Sequence, residues 1–115
     1  KIKRLYLQAA KTIGKQEKQT MKVMRNDQVL AESDQTIVIE GNHYFPPESI
    51  RKEYFQKSDK KTTCPWKGQA GYYHIVIGNN VEQDAAWYYP EPKAEAREIK
   101  NYVAFNKSSL DFHDD

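Results

Sequence analysis

Tyr72-Tyr73-His74-Ile75-Val76-Ile77, then Gly78-Asn79-Asn80, then the run Val81 to Tyr89, reads as two strands joined by a turn. The first run is aromatic and β-branched and does not alternate by polarity, which predicts a strand covered on both faces. Gly78-Asn79-Asn80 holds the residue types that accept the backbone angles of a tight hairpin turn. This central hairpin sets the class: the chain is mainly β. Working outward, Met21 to Arg25 and Val29 to Ala31 flank Asn26-Asp27 as a second hairpin, and Thr36 to Glu40 ends at the turn signal Gly41-Asn42. Tyr44-Phe45-Pro46-Pro47 halts pairing because proline has no N–H for a ladder, and Glu48 to Phe55 reads as a short helix begun at a proline. Lys57 to Lys61 reads as a charged surface loop. On the far side, Ala94 to Lys100 reads as a second short helix after Pro90 and Pro92, and Tyr102-Val103-Ala104-Phe105 as a closing strand. These elements predict a compact antiparallel domain over residues 21–110, with 111–115 as a frayed tail.

Residues 1–20 have a different character. At 100° per residue, Ile2, Leu5, Tyr6, Ala9 and Ile13 share one face of a helix, and Lys1, Arg4, Lys11, Lys15 and Lys18 the other. The segment is therefore expected to be a basic amphipathic helical leader, loosened at Gly14 and followed by a polar linker over Gln16 to Gln19. Such a helix packs on its own domain or a second copy, or docks on a membrane or protein partner. Met21 as an internal start is a further reading.

With 115 residues the chain has material for one modest core. A hydrophobic content of 38% with 30% charged residues is ordinary for a globular domain, monomeric or homodimeric. The single cysteine excludes an internal disulfide and any multi-cysteine zinc site within one chain, which fits the cytoplasm. The net charge of +2 is unevenly spread: residues 1–20 carry six Lys or Arg against one acid, and the remainder twelve against fifteen. A slightly acidic body lacks the clustered basic face that supplies phosphate-backbone affinity, so nucleic acid is not an expected partner.

Reactive and aromatic types crowd into Cys64-Pro65-Trp66-Lys67-Gly68, Tyr72-Tyr73 and Ala86-Trp87-Tyr88-Tyr89-Pro90. Cys64 is the only thiol, so a cysteine mechanism must use it. Lys67 three residues on would lower its pKa, and His74 is the histidine nearest in sequence to serve as a base. The bland alternative is that Cys64 is a small buried hydrophobe and His74 structural. Lys67-Gly68 hints at anion binding, but it leads into a strand and lacks the glycine frame of a P-loop. No histidine or cysteine pair sits at ligand spacing, so neither a metal nor a cofactor is expected. Most of the aromatic residues fill a small core. If Trp66, Tyr72, Trp87 and Tyr89 instead face a cleft, with Lys67 and Asp84 at its rim, they form an apolar-walled pocket with few polar groups.

Several of these motifs, in this order, resemble the DUF427 domain, also labelled NTP_transf_9. The likeness is carried by Val29-Leu30-Ala31-Glu32-Ser33, Tyr44-Phe45-Pro46, Cys64-Pro65-Trp66-Lys67-Gly68 with Ala70 and Tyr72, Ala86-Trp87-Tyr88-Tyr89-Pro90 with Pro92, and Ile99 with Val103-Ala104-Phe105. It covers roughly Met21 to Lys107. It implies a β-tent-like fold, two small sheets meeting at an angle, and carries no reaction with it. The basic leader and Trp66, where the family pattern has Tyr, are departures. The leading expectation is a module that binds a small molecule or peptide end through Trp66, Lys67, Tyr72, His74, Trp87 and Tyr89. The alternatives are a small transferase- or hydrolase-type enzyme using Cys64 or Lys67, and an interaction domain docked through residues 1–20.

Overall fold

The computed structural model describes residues 20–114. The expected leader helix lies outside them but for Thr20. β1 (Met21–Arg25) and β2 (Gln28–Ser33) form the first hairpin. Its turn residues Asn26 and Asp27 both take positive φ, 51° and 65°, as a mirror-image two-residue turn requires. β3 (Ile37–Ile39) and β4 (Asn42–Tyr44) form a second hairpin through Glu40 and Gly41, at φ 55° and 80°. The large sheet runs β5 (Phe55–Cys64), β6 (Gly68–Ile77), β7 (Asn80–Tyr88), β8 (Val103–Phe105), each antiparallel to the next. β9 (Asp111–Asp114) pairs with the free side of β1. The fold is thus mainly β and antiparallel as expected, with its ladders grouped as three sheets.

Four local expectations are corrected. Asp111–Asp114 is no frayed tail, because Phe112 lies opposite Val23 and packs under Phe105 at 6.5 Å between ring centroids. Lys57 to Lys61 is no loop but the middle of β5, an edge strand whose charges blunt its unpaired side. The helix expected over Glu48 to Phe55 is two single 3₁₀ turns, Pro47–Ser49 and Lys52–Tyr54. Between them the chain stays extended, because Arg51 N–H donates to the Leu30 carbonyl at 2.8 Å and stitches it to β2. The second expected helix is likewise a 3₁₀ segment, Ala94–Ile99, bent at Ala96.

The large sheet is covered on both faces, as the unalternating Tyr72 to Ile77 run predicts. On one side Val23, Leu30, Phe45, Ile75, Val103 and Phe105 close a core against β1 and β2. On the other, Tyr44, Ala70, Tyr89, Ala96, Ile99 and Ala104 form a second cluster under the 3₁₀ segment. Successive residues feed opposite clusters, Tyr44 then Phe45 and Ala104 then Phe105, which is the period of two that a strand imposes. Phe45 also trades both backbone hydrogen bonds with Val103, at 2.8 and 2.9 Å, extending the sheet past β8 until Pro46 and Pro47 stop it.

Candidate functional site

Cys64 pairs with Gly68, so Pro65-Trp66-Lys67 is a three-residue hairpin loop between β5 and β6. Gly68 sits at φ +115°, and a Cβ there would meet the Glu91 carbonyl at 3.4 Å and Pro92 Cα at 3.6 Å, so the motif's glycine lets the 91–93 segment lie on it. That segment clamps the loop: Lys93 N–H donates to the Lys67 carbonyl at 2.9 Å, and Lys93 Nζ to the Pro65 carbonyl at 2.6 Å. Held this way, Lys67 points inward and is only 5% exposed.

A buried ammonium is costly unless it is paired and hydrogen-bonded. Lys67 Nζ hydrogen-bonds Glu40 and lies 5.0 Å from the Trp66 ring centroid and 5.8 Å from that of Tyr89. Trp66 Nε1 donates to the other Glu40 oxygen at 3.3 Å. The hydrogen bonds from Lys67 and Trp66 hold the Glu40 carboxyl below its ordinary pKa. Burial pulls Lys67 down, but the Glu40 hydrogen bond and the neighbouring Tyr44, Tyr89 and Cys64 groups together raise it above its ordinary value. Burial pushes Tyr89 up to about 12. Lys67 is therefore a fixed cation at neutral pH, a partner for anions rather than an amine nucleophile.

Beside it opens a cleft of about 380 Å³. Four of the residues expected at a binding site line it: Lys67, Tyr72, Trp87 and Tyr89. Trp87 and Tyr72 tilt against one another at 6.4 Å between centroids, and Trp87 Nε1 donates to the Tyr44 hydroxyl at 3.2 Å. The walls are not the apolar ones expected. Hydroxyl, amide and charged groups dominate the lining, with Tyr44, Asn42 and Asn106 added to the residues singled out in the sequence.

Two β-bulges deliver the remaining charges. Between Lys57 and Lys61 three residues of β5 face one of β6, and between Tyr73 and Ile75 the ladder slips again against β7. Both irregularities flank the same stretch of β6, and each turns one charged side chain into the cleft, Lys60 from β5 and Asp84 from β7. Asp84 carries φ 54° in its bulge. Lys60 Nζ rests 4.9 Å from the Tyr72 ring centroid. Asp84 was legible as a rim charge; Lys60 was not, because a bulge inside a charged edge strand has no sequence signature.

Three predicted residues fall elsewhere. His74 faces β7, where its Nδ1 accepts the Asp84 N–H at 3.1 Å and Ser58 Oγ donates to Asp84 Oδ1 at 2.5 Å. It cannot serve Cys64: Cys64 pairs with Gly68 and Gln56 with His74, so six residues at about 3.3 Å each put them roughly 20 Å apart. Trp66 stands outside the cleft lining, 37% exposed, against Lys67. Cys64 is half-buried and free, packed on the tyrosine cluster. Burial raises its thiol, but the backbone N–H groups of Lys67 and Trp66 and the Lys67 charge outweigh that and set it below the ordinary value.

Among the described residues no group of His, Cys, Asp and Glu is placed to hold a metal ion, and no helix is long and apolar enough to cross a membrane. Residues 14–115 match a family described as a domain of unknown function, DUF427 (NTP_transf_9). The match takes in six residues before Thr20 and the whole of β9, a longer span than the motifs alone mark out. No curated protein matches the chain.

Proposed function

The chain belongs to the DUF427 family, and from the cleft between Lys67 and Asp84 we propose that it binds a small molecule or a peptide end. What supports this reading is one observation: Lys67, Tyr72, Trp87 and Tyr89, drawn from three separated motifs, converge on a single cleft whose lining includes a buried lysine, charged at neutral pH. A core with no ligand to meet has little use for a buried ammonium, since apolar packing of the same volume is as stabilising or more so. The mixed lining suits an occupant with a flat face for Trp87 and Tyr72 and polar groups for the amides, phenols and charges around them. A reducing, cytoplasmic setting fits the free thiol of Cys64. In this reading Cys64 holds the loop from beneath and takes no part in chemistry, since its nearest expected base, His74, stands at the far end of the hairpin.

The test is a thermal-shift screen of small carboxylates, amines, nucleosides and short peptides on wild type, Trp87→Ala and Cys64→Ser. A ligand at 100 times its Kd stabilises by about 2.7 kcal/mol, a rise of several degrees in a domain of this size. The expected result is that Trp87→Ala abolishes the rise and Cys64→Ser keeps it. If both variants respond as wild type does, the cleft is not the site.

A further inference from the structure

Lys67 and Trp66 already hold a carboxylate, and it belongs to the protein itself. Glu40 Oε1 accepts from Lys67 Nζ and Oε2 accepts from Trp66 Nε1 at 3.3 Å, so the two oxygens of one planar group are read by two separate donors. The receiving side is rigid: Lys67 is 5% exposed, and its loop is clamped by two hydrogen bonds with Lys93. The donated side is not. The Glu40 side chain is 55% exposed, and Glu40 is the first residue of the two-residue turn between β3 and β4, a three-residue-strand hairpin. This turn is tied down by Lys107 Nζ on the Gly41 carbonyl at 2.7 Å, itself an exposed contact. Among the described residues, the one carboxylate within ion-pair distance of this buried cation thus comes from an exposed turn.

We propose that the Lys67–Trp66 pair is a carboxylate receptor, that Glu40 occupies it as an internal stand-in, and that the ligand of the adjoining cleft presents a carboxylate that displaces Glu40. This rests on the cleft reading and narrows it to a class: a carboxylic acid, or the C-terminal end of a peptide, with its flat or apolar part lying toward Tyr89, Tyr72 and Trp87. Lys67 joins the two places, because the same side chain pairs with Glu40 and lines the cleft. The geometry favours carboxylate because both donors converge on the two oxygens of a planar group, and the tether explains how the site stays satisfied when empty. Displacement costs little charge, since one carboxylate replaces another and the freed Glu40 returns to water. An internal competitor held at high effective concentration weakens the apparent affinity for any external one.

The experiment follows the two tryptophan indole N–H signals of the full chain by ¹H–¹⁵N NMR, assigned with Trp66→Phe, while benzoate or the isosteric neutral benzamide is added to wild type and Glu40→Gln. Trp66 reports the receptor and Trp87 the cleft. The expected result is a Trp66 shift with benzoate, about tenfold tighter binding in Glu40→Gln than in wild type, and no such gain for benzamide. Lys67→Met should remove the benzoate response of Trp66. Equal benzoate affinity in wild type and Glu40→Gln, or the same gain for benzamide, overturns the proposal. A Trp87 shift without a Trp66 shift overturns the receptor while leaving the cleft reading standing. Silence of both signals overturns the receptor too, and the thermal-shift screen then decides the cleft on its own.

Discussion

The two faces of the large sheet are built from neighbouring residues and behave as different materials. The face toward β1 and β2 buries Val23, Leu30, Phe45, Ile75, Val103 and Phe105, side chains with no polar atom to satisfy. The face toward the 3₁₀ segment buries Tyr44 and Tyr89, and brings Trp87 and Lys67 with them, so nearly every large group there carries a polar atom that needs a partner. The centre of the first face is free to optimise packing density, with the phenols of Tyr54, Tyr73 and Tyr88 kept to its margin. The second must keep its polar atoms partnered, and they give the cleft beside it a mixed lining of hydroxyl, amide and charged groups. One sheet therefore carries apolar packing on one side and a polar, tyrosine-bearing cluster on the other, because a strand sends successive residues to opposite faces.

The largest predicted effect breaks the packing face. Phe105 meets Phe45, Phe55 and Phe112 edge to face, at 5.5, 5.9 and 6.5 Å, and so joins four separate segments. Phe105→Ala is expected to lose about 3–5 kcal/mol in urea unfolding. The tyrosine-bearing face is expected to answer most strongly to pH. Tyr89 keeps its proton up to about 12 in the folded state, against an ordinary tyrosine value near 10 in the unfolded chain. Between these limits the folded state binds more protons, so stability is complete below about pH 10 and falls as pH rises toward 12. The loss should be about 2–3 kcal/mol, and Tyr89→Phe should reduce it. A remainder will persist, because Lys67 and the burial-raised phenol of Tyr73, on the opposite face, contribute in the same sense. If the alkaline slope is unchanged in Tyr89→Phe, the buried phenol is not its source. The smallest effect isolates one polar contact: Tyr44→Phe deprives the Trp87 N–H of its acceptor and should lose about 0.5–1.5 kcal/mol by the same unfolding assay. A loss as large as that of Phe105→Ala would erase the distinction between the faces.

What the sequence made legible follows the same division. The hairpins at Asn26-Asp27 and Gly78-Asn79 were readable because each needs backbone angles that few residues accept, while the turn signalled at Gly41-Asn42 falls one residue earlier, on Glu40-Gly41. That Lys67, Tyr72, Trp87 and Tyr89 gather at one cleft was readable because large aromatics and a lysine are uncommon companions in so short a span. β5 was hidden because an exposed edge strand carrying Lys57, Asp59, Lys60 and Lys61 has no buried face to impose alternation. Lys60 and Asn106 were hidden with it, since only the bulges and the end of β8 bring them to the cleft. Glu40 was legible merely as the end of a strand run; nothing in its neighbours marks the ion pair with a residue 27 positions away. The C-terminal strand was missed because Asp111, His113 and Asp114 mask the single inward residue, Phe112.

That last strand has a consequence for how the molecule comes into being. β1 lies between β2 and β9, and Val23 finds Phe112 opposite it across most of the chain. In order of synthesis β1 and β2 precede every strand of the large sheet and β9 follows them all, so one edge of β1 stays open until β9 is made. A nascent chain thus holds that edge unsealed while the large sheet is synthesised, and proteolytic trimming at residues 111–114 would reopen the same seam in the finished protein.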